Sequence, residues 1–167
     1  MTTFKEQALA AAESGRKLTL AEILAIFCSG ELPLKFTAYD GSSIGPDDAK
    51  LGLELKTPRG TTYLATAPGD LGLARAYVSG DLEPHGVHPG DPYELLRALA
   101  DKIEFKLPPV RVLAAIVRSI GVEHFRPIAP PPQEAVPRWR RIAEGLRHSK
   151  SRDAEVIHHH YDVSNTF

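Results

Sequence analysis

Five prolines fall within eleven residues, from Pro127 to Pro137, in the stretch RPIAPPPQEAVP. Each fixes its own φ near −65° and lacks a backbone N–H, so the stretch can neither continue a helix nor lie inside a sheet. It reads as an extended, semi-rigid connector. That divides the chain of 167 residues into a folded part at 1–122, a linker at 123–137 and a basic segment at 138–167. The first piece is of ordinary single-domain size.

Before the linker the periodicities are mixed. Residues 2–14 form a short, weakly anchored helix on this reading. A stronger one follows in TLAEILAIFCSG, where Thr19 and Glu22 have capping-box spacing, Leu20, Ile23, Leu24 and Phe27 recur at helical intervals, and Gly30 is the stop. In LPLKFTAYDGS, Leu34, Phe36 and Ala38 alternate with Lys35, Thr37 and Tyr39, the pattern of a half-buried strand. Leu51, Leu53 and Leu55 share one face of a second strand. TPRG reads as a turn and TTYLATA as a third strand, which together suggest an antiparallel meander.

Three helical patterns come next. GDLGLARAYVSGDLE places Leu71, Ala74 and Val78 on one side and ends at Gly80, with Tyr77 assigned to the core. GDPYELLRALADKIEF carries Asp91 as N-cap, Pro92 at the first position and a stripe of Leu95, Leu96, Leu99 and Ile103. The third starts near Pro109 and bears Val110, Leu113, Val117 and Ile120. The fold class is α+β: a small antiparallel or mixed sheet covered by helices, followed by the proline-rich linker and a basic helix.

Hydrophobic residues make up 43% and charged residues 25%, with a net charge of −1. That balance argues against a nucleic-acid partner. The single cysteine, Cys28, cannot form an internal disulfide and suits a reducing compartment. No signal-peptide pattern or spanning apolar run is present, so the expected location is cytoplasmic, with peripheral attachment to the inner face of a membrane left open.

Three places invite a chemical reading. His158, His159 and His160 are consecutive, so on a helix their side chains point about 100° apart and cannot converge on one metal; no metal site is expected. From Arg138 to Arg152, Arg138, Arg140, Arg141, Arg147, Lys150 and Arg152 face only Glu144, with Trp139 among them. Such a helix can rest on an anionic membrane, guanidinium groups on phosphate and indole at the interface. The plainer alternative is a solvated helix packing Trp139, Ile142 and Leu146 inward. GDLGLARAYVSGDLE has no composition of its own that makes a site; its glycines can serve close packing alone. No glycine-rich loop follows a strand to cradle a nucleotide or adenosyl group.

The closing HHHYDVSNTF resembles the start of the catalytic domain in the cyclopropane-fatty-acid synthase family of S-adenosylmethionine-dependent methyltransferases, whose motif reads like HYDLSNDFF or HYDVGNDLF. His160, Tyr161, Asp162, Val163, Ser164, Asn165 and Phe167 match; Thr166 stands where the family often has an acidic residue. GDLGLARAYVSGDLE is similar to the family's GSLGLGESYMDGDWE, departing at Arg75, often Glu there, and at Leu82, often Trp. LPLKFTAYDGS is a weaker third block. The first part also resembles, more loosely, sterol-carrier-protein-2-like modules that hold acyl chains.

The resemblance implies an N-terminal, lipid-engaging domain followed by the start of a methyltransferase domain that lies beyond Phe167. In the family, a cis double bond of a phospholipid acyl chain attacks the sulfonium methyl of S-adenosylmethionine. The resulting cation loses a proton, commonly to a bound bicarbonate. By the same resemblance Tyr161 and His160 line the active-site wall, and Arg138, Trp139, Arg140 and Arg141 face lipid phosphate. The expected partners are a phospholipid or fatty acyl substrate and an anionic membrane surface; a homodimer is compatible. This stretch alone is expected to be inactive. The rival readings are a free-standing sterol-carrier-like lipid-binding module without catalysis, and an interaction domain with a basic tail and no lipid role.

Overall fold

The computed structural model describes residues 3–88, 90–102 and 107–134. The chain divides into two compact units, Met1–Pro131 and Pro132–Phe167, and the elements below all belong to the first. The division falls inside the stretch expected to be a linker.

Helix α1 (Phe4–Glu13) opens with a capping box: Thr3 Oγ1 accepts from Glu6 N–H while the Glu6 carboxylate accepts from Thr3 N–H. The expectation of a weakly anchored helix is corrected here. Ala8, Ala11 and Ala12 are buried against Leu18, Ile26, Val112, Ala115 and Ile116. Small side chains gave little amphipathic signal, yet they permit close helix packing. Helix α2 (Leu20–Phe27) has the expected Thr19–Glu22 box. It lies between the two apolar clusters, sending Ile23, Ile26 and Phe27 to this helical one and Leu20, Ala21 and Leu24 to the one beneath the sheet. Cys28 closes the helix and is buried; burial pushes its thiol up, with Lys5 opposing weakly.

The sheet has four strands in the order β2-β1-β3-β4. Strand β1 (Lys35–Ala38) buries Phe36 and Ala38 as its alternation requires, and β3 (Gly52–Leu55) buries Leu53 and Leu55. Between them the short β2 (Ser43–Ile44) pairs antiparallel with β1, and the chain then crosses so that β3 runs parallel to β1 on its other side. The antiparallel meander is therefore replaced by a mixed sheet. The fourth strand, β4 (Leu82–His85), pairs antiparallel with β3. Pro84 hides this strand from a sequence reading, but at a sheet edge its missing N–H leaves no ladder bond unmade.

The expected third strand, TTYLATA, is instead most of helix α3 (Pro58–Thr66). Thr57 is an N-cap whose hydroxyl accepts from Gly60 N–H, and Pro58 occupies the first turn. The same TPRG that reads as a turn is a helix start. Helix α4 (Asp70–Val78) packs on α3, but by its Gly72–Ala76 edge; Leu71, Ala74 and Val78, expected inside, are exposed. Helix α5 (Tyr93–Ala100) buries Leu95 and Leu99 under the sheet and leaves Leu96 partly exposed. Pro92, not Asp91, is the N-cap of this helix, which starts one residue later than expected and has no side-chain cap; Asp91 Oδ1 accepts from Tyr93 N–H from just outside it. Helix α6 (Val110–Ile120) is turned from the expected face: Val112, Ala115, Ile116 and Ser119 are buried and Val110 is exposed. A 3-10 helix, Val122–Phe125, then packs on α3.

One junction ties the helical layer to the sheet. The first N–H groups of α2 have no partners within the helix. Asp40 Oδ2 accepts from Leu20 N–H at 2.8 Å, Ser42 Oγ from Ala21 N–H at 3.0 Å, and Thr19 Oγ1 from Glu22 N–H at 3.3 Å. Asp40 also accepts from Ser42 N–H and Oγ–H. Partial burial works to raise the Asp40 carboxyl, but these hydrogen bonds outweigh it and hold it below its ordinary range. A depressed folded-state pKa stabilises above the unfolded pKa and stops doing so as pH falls through the folded one. Asp40→Ala should therefore cost about 1 kcal/mol at neutral pH, the usual worth of a helix cap. That difference from wild type should shrink below about pH 4. Urea unfolding at pH 7 and pH 3 checks both; an equal cost at the two pH values would mean that the carboxylate charge is not what holds α2.

Candidate functional site

The residues that the sequence assigns to chemistry, His160 and Tyr161, and those it assigns to phosphate, Arg138, Trp139, Arg140 and Arg141, lie outside the described residues. The GDLGLARAYVSGDLE motif is described in full, and its geometry is that of a joint. Gly72 faces the carboxyl end of α3 so closely that an added Cβ would lie 2.3 Å from Ala67 O and 2.7 Å from Tyr63 O. Gly80 ends α4 with φ of 73°, and Asp81 follows at 1% exposure.

Asp81 is a charged group in the interior, which requires partners. Its Oδ2 accepts from Arg59 Nε at 2.6 Å, and its Oδ1 accepts from Thr57 Oγ1 at 2.6 Å and Arg59 Nη2 at 3.1 Å. Arg59 Nη2 also donates to Ser79 O. Hydrogen bonding to Asp81 and its charge push the Arg59 guanidinium further above its ordinary value. The backbone of Asp81 is engaged as well: its N–H donates to Ala76 O and its carbonyl accepts from Lys56 N–H. One residue thus links the first turn of α3, through its carboxylate, to the end of α4 and the segment after β3, through its backbone. Sequence reading missed it, although an Asp directly after a helix-ending glycine, with Thr-x-Arg at another helix start, was available as a signal.

A second polar network runs along α3. Thr61 Oγ1 lies 3.1 Å from Tyr39 OH, Thr62 Oγ1 lies 2.8 Å from His124 Nδ1, and Tyr63 OH donates to Ala129 O at 2.9 Å. Thr62 and His124 have the spacing of a nucleophile and base. The hydroxyl, however, is buried in a helix and also donates to Pro58 O, so no substrate reaches it. The pair fastens the 3-10 helix to α3. Among the described residues no group of His, Cys, Asp and Glu is arranged to hold a metal.

The described residues do not fit an adenosyl ligand either. The tight strand-to-helix junction, β3 to α3, has proline in the first turn and the Asp81 carboxylate at the helix start, where a glycine-rich loop would have to admit a ligand. The polar DGSSIG segment is committed to α2 through Asp40 and Ser42. No described helix is long and apolar enough to cross a membrane.

What the described fold defines is an open-sheet α+β module whose buried polar groups hold elements together rather than perform chemistry. Over 152 residues, 90% of its length, the chain is 74% identical to "Probable fatty acid methyltransferase Rv3720" of Mycobacterium tuberculosis. It spans 36% of that protein's length. The resemblance to a methyltransferase of fatty acids, read from the terminal motif, is borne out by this relationship. No family model matches the chain, and no solved structure matches it.

Proposed function

We propose that this chain is the N-terminal, lipid-engaging part of an S-adenosylmethionine-dependent fatty acid methyltransferase of the cyclopropane-synthase type. The observation that carries the reading is the 74% identity to a protein named as a fatty acid methyltransferase. In this reading the module presents an unsaturated acyl phospholipid to a cofactor fold supplied by the rest of the protein. Arg138, Trp139, Arg140 and Arg141 face headgroup phosphate. Tyr161 and His160 stand at the wall of the reaction cavity, where an electron-rich ring steadies a developing carbocation. A bicarbonate, were one bound there, would supply the base for the proton that this cation loses.

The test compares this chain alone with the chain joined to the remainder of the relative's sequence. Labelled methyl from S-adenosylmethionine should enter unsaturated phospholipid in vesicles only with the joined protein. In that protein Tyr161→Leu, which deletes the ring, should lower kcat about thirtyfold, the rate equivalent of about 2 kcal/mol for a desolvated cation–π contact. A joined protein that methylates no unsaturated acyl chain would remove the proposal. A Tyr161→Leu variant of full activity would remove the residue assignment alone.

A further inference from the structure

Leu107 is 87% exposed and Val110 is 82% exposed, the two most exposed large apolar side chains among the described residues. They flank Pro108 and Pro109, and Pro109 leads directly into α6. Isolated exposed leucines need no explanation. Two aliphatic side chains displayed by a proline-stiffened lead into a helix on a fixed scaffold are another matter, because ordering them at an interface costs little further entropy.

The scaffold is fixed from behind. Val112, Ala115 and Ile116 of α6 are buried against α1. Ser119 Oγ accepts from Leu18 N–H at 2.8 Å and donates to Ala115 O. The outward face carries Arg111, Ala114 and Arg118. From Leu107 to Ile120 there are two arginines and no acidic residue, and Arg111 makes no ion pair with any described residue. Arg118 Nη2 donates to Gly15 O at 3.2 Å, which leaves Arg111 as the cation beside the tip; an apolar tip next to such a cation is complementary to an anionic bilayer, with hydrocarbon beneath and phosphate at the level of the guanidinium.

We propose that the Leu107–Arg111 segment is a membrane-docking tip: Leu107 and Val110 enter the interfacial region of an anionic phospholipid bilayer, and Arg111 meets lipid phosphate. This rests on the lipid-engaging reading above and adds a second contact, separate from Arg138, Arg140 and Arg141, which would orient the module on the surface.

The experiment is co-sedimentation of the 167-residue chain with vesicles of phosphatidylcholine alone or mixed with phosphatidylglycerol. Leu107→Ser/Val110→Ser should weaken partitioning on the order of 50-fold. Arg111→Gln should weaken it about fivefold on anionic vesicles and hardly at all on neutral ones. All three side chains are exposed, so the thermal midpoint should stay within about 1 °C of wild type. A polarity-sensitive fluorophore on Leu107→Cys should shift to the blue when vesicles are added; Cys28 is buried and does not compete for the label.

Wild type that binds anionic vesicles while the double-serine variant binds equally well would overturn the tip and leave the lipid reading standing on the basic segment. The segment would then be left to a protein partner. Wild type that fails to bind anionic vesicles would overturn both.

Discussion

Arg59→Ala should destabilise the fold, lowering the thermal midpoint by several degrees. Asp81 stays buried in that variant, but its carboxylate keeps a single side-chain donor, Thr57 Oγ1, where it had Thr57 and two nitrogens of Arg59. Truncating one partner of a buried ion pair typically costs about 3–5 kcal/mol. The Arg59 side chain is 56% exposed, so water can enter its place, and the loss should fall below that range. Arg59→Lys keeps the charge and loses the planar fork, so it should fall roughly midway between wild type and Ala. Asp81→Ala alone leaves a guanidinium already half in water. The double variant should therefore cost less than the two singles summed, with a coupling of about 1–3 kcal/mol. Urea unfolding of wild type and the four variants checks this; an Arg59→Ala variant within about 0.5 kcal/mol of wild type would mean that Asp81 is hydrated and does not join the elements around it. By contrast, the Lys56–Glu83 pair, 2.5 Å apart on the open face of the sheet, should matter little, as exposed pairs usually do.

The parts of this fold that could be read from the chain are those decided within a few residues. The Thr19–Glu22 box and the alternation of Leu34, Phe36 and Ala38 are local patterns, and each landed where it pointed. The misreadings share a cause. Thr61, Thr62 and Tyr63 all favour strands, yet they are helical because Thr57, Pro58 and Asp81 start a helix there, and because Tyr39, His124 and Ala129 satisfy their hydroxyls from distant segments. In α4, Leu71, Leu73, Ala74, Ala76, Tyr77 and Val78 surround the helix, so apolar spacing cannot choose a face. The choice is made by Gly72, the position without a side chain, because α3 comes closest there.

His160 and Tyr161 are assigned only through the terminal motif and its resemblance to a methyltransferase family, and they lie outside the described residues. Nothing in the composition of GDLGLARAYVSGDLE pointed to chemistry, and its described geometry is a packing joint. Similarity in that motif therefore carries the fold of the module, whereas the assignment of Tyr161 and His160 rests on HHHYDVSNTF. Asp81 escaped notice because its partner Arg59 lies 22 residues away, and a buried charge is invisible until the fold brings its counter-ion to it.

Gly86→Ala should be at least as damaging as the loss of Arg59, and for a reason with two separable parts. Gly86 follows β4 with φ of 78°, in the left-handed region, where a side chain costs about 1–2 kcal/mol. Its missing side chain also leaves room that is otherwise used. A Cβ would stand 1.9 Å from Lys50 O and 3.0 Å from Lys50 C, backbone atoms just before β3 that no rotamer change can move aside. Relief requires β4 to part from β3 at the Gly52–His85 end of their ladder, a further cost of about 2 kcal/mol in strain and lost pairing. Gly80 isolates the first part: its φ is 73°, and nothing lies within 4 Å of an added Cβ. Gly80→Ala should therefore cost only the conformational share. Denaturant midpoints of the two variants should differ by the equivalent of about 2 kcal/mol, with Gly86→Ala the weaker. Equal midpoints would show that β4 gives way freely, and that the edge of the sheet is held from elsewhere than this close approach.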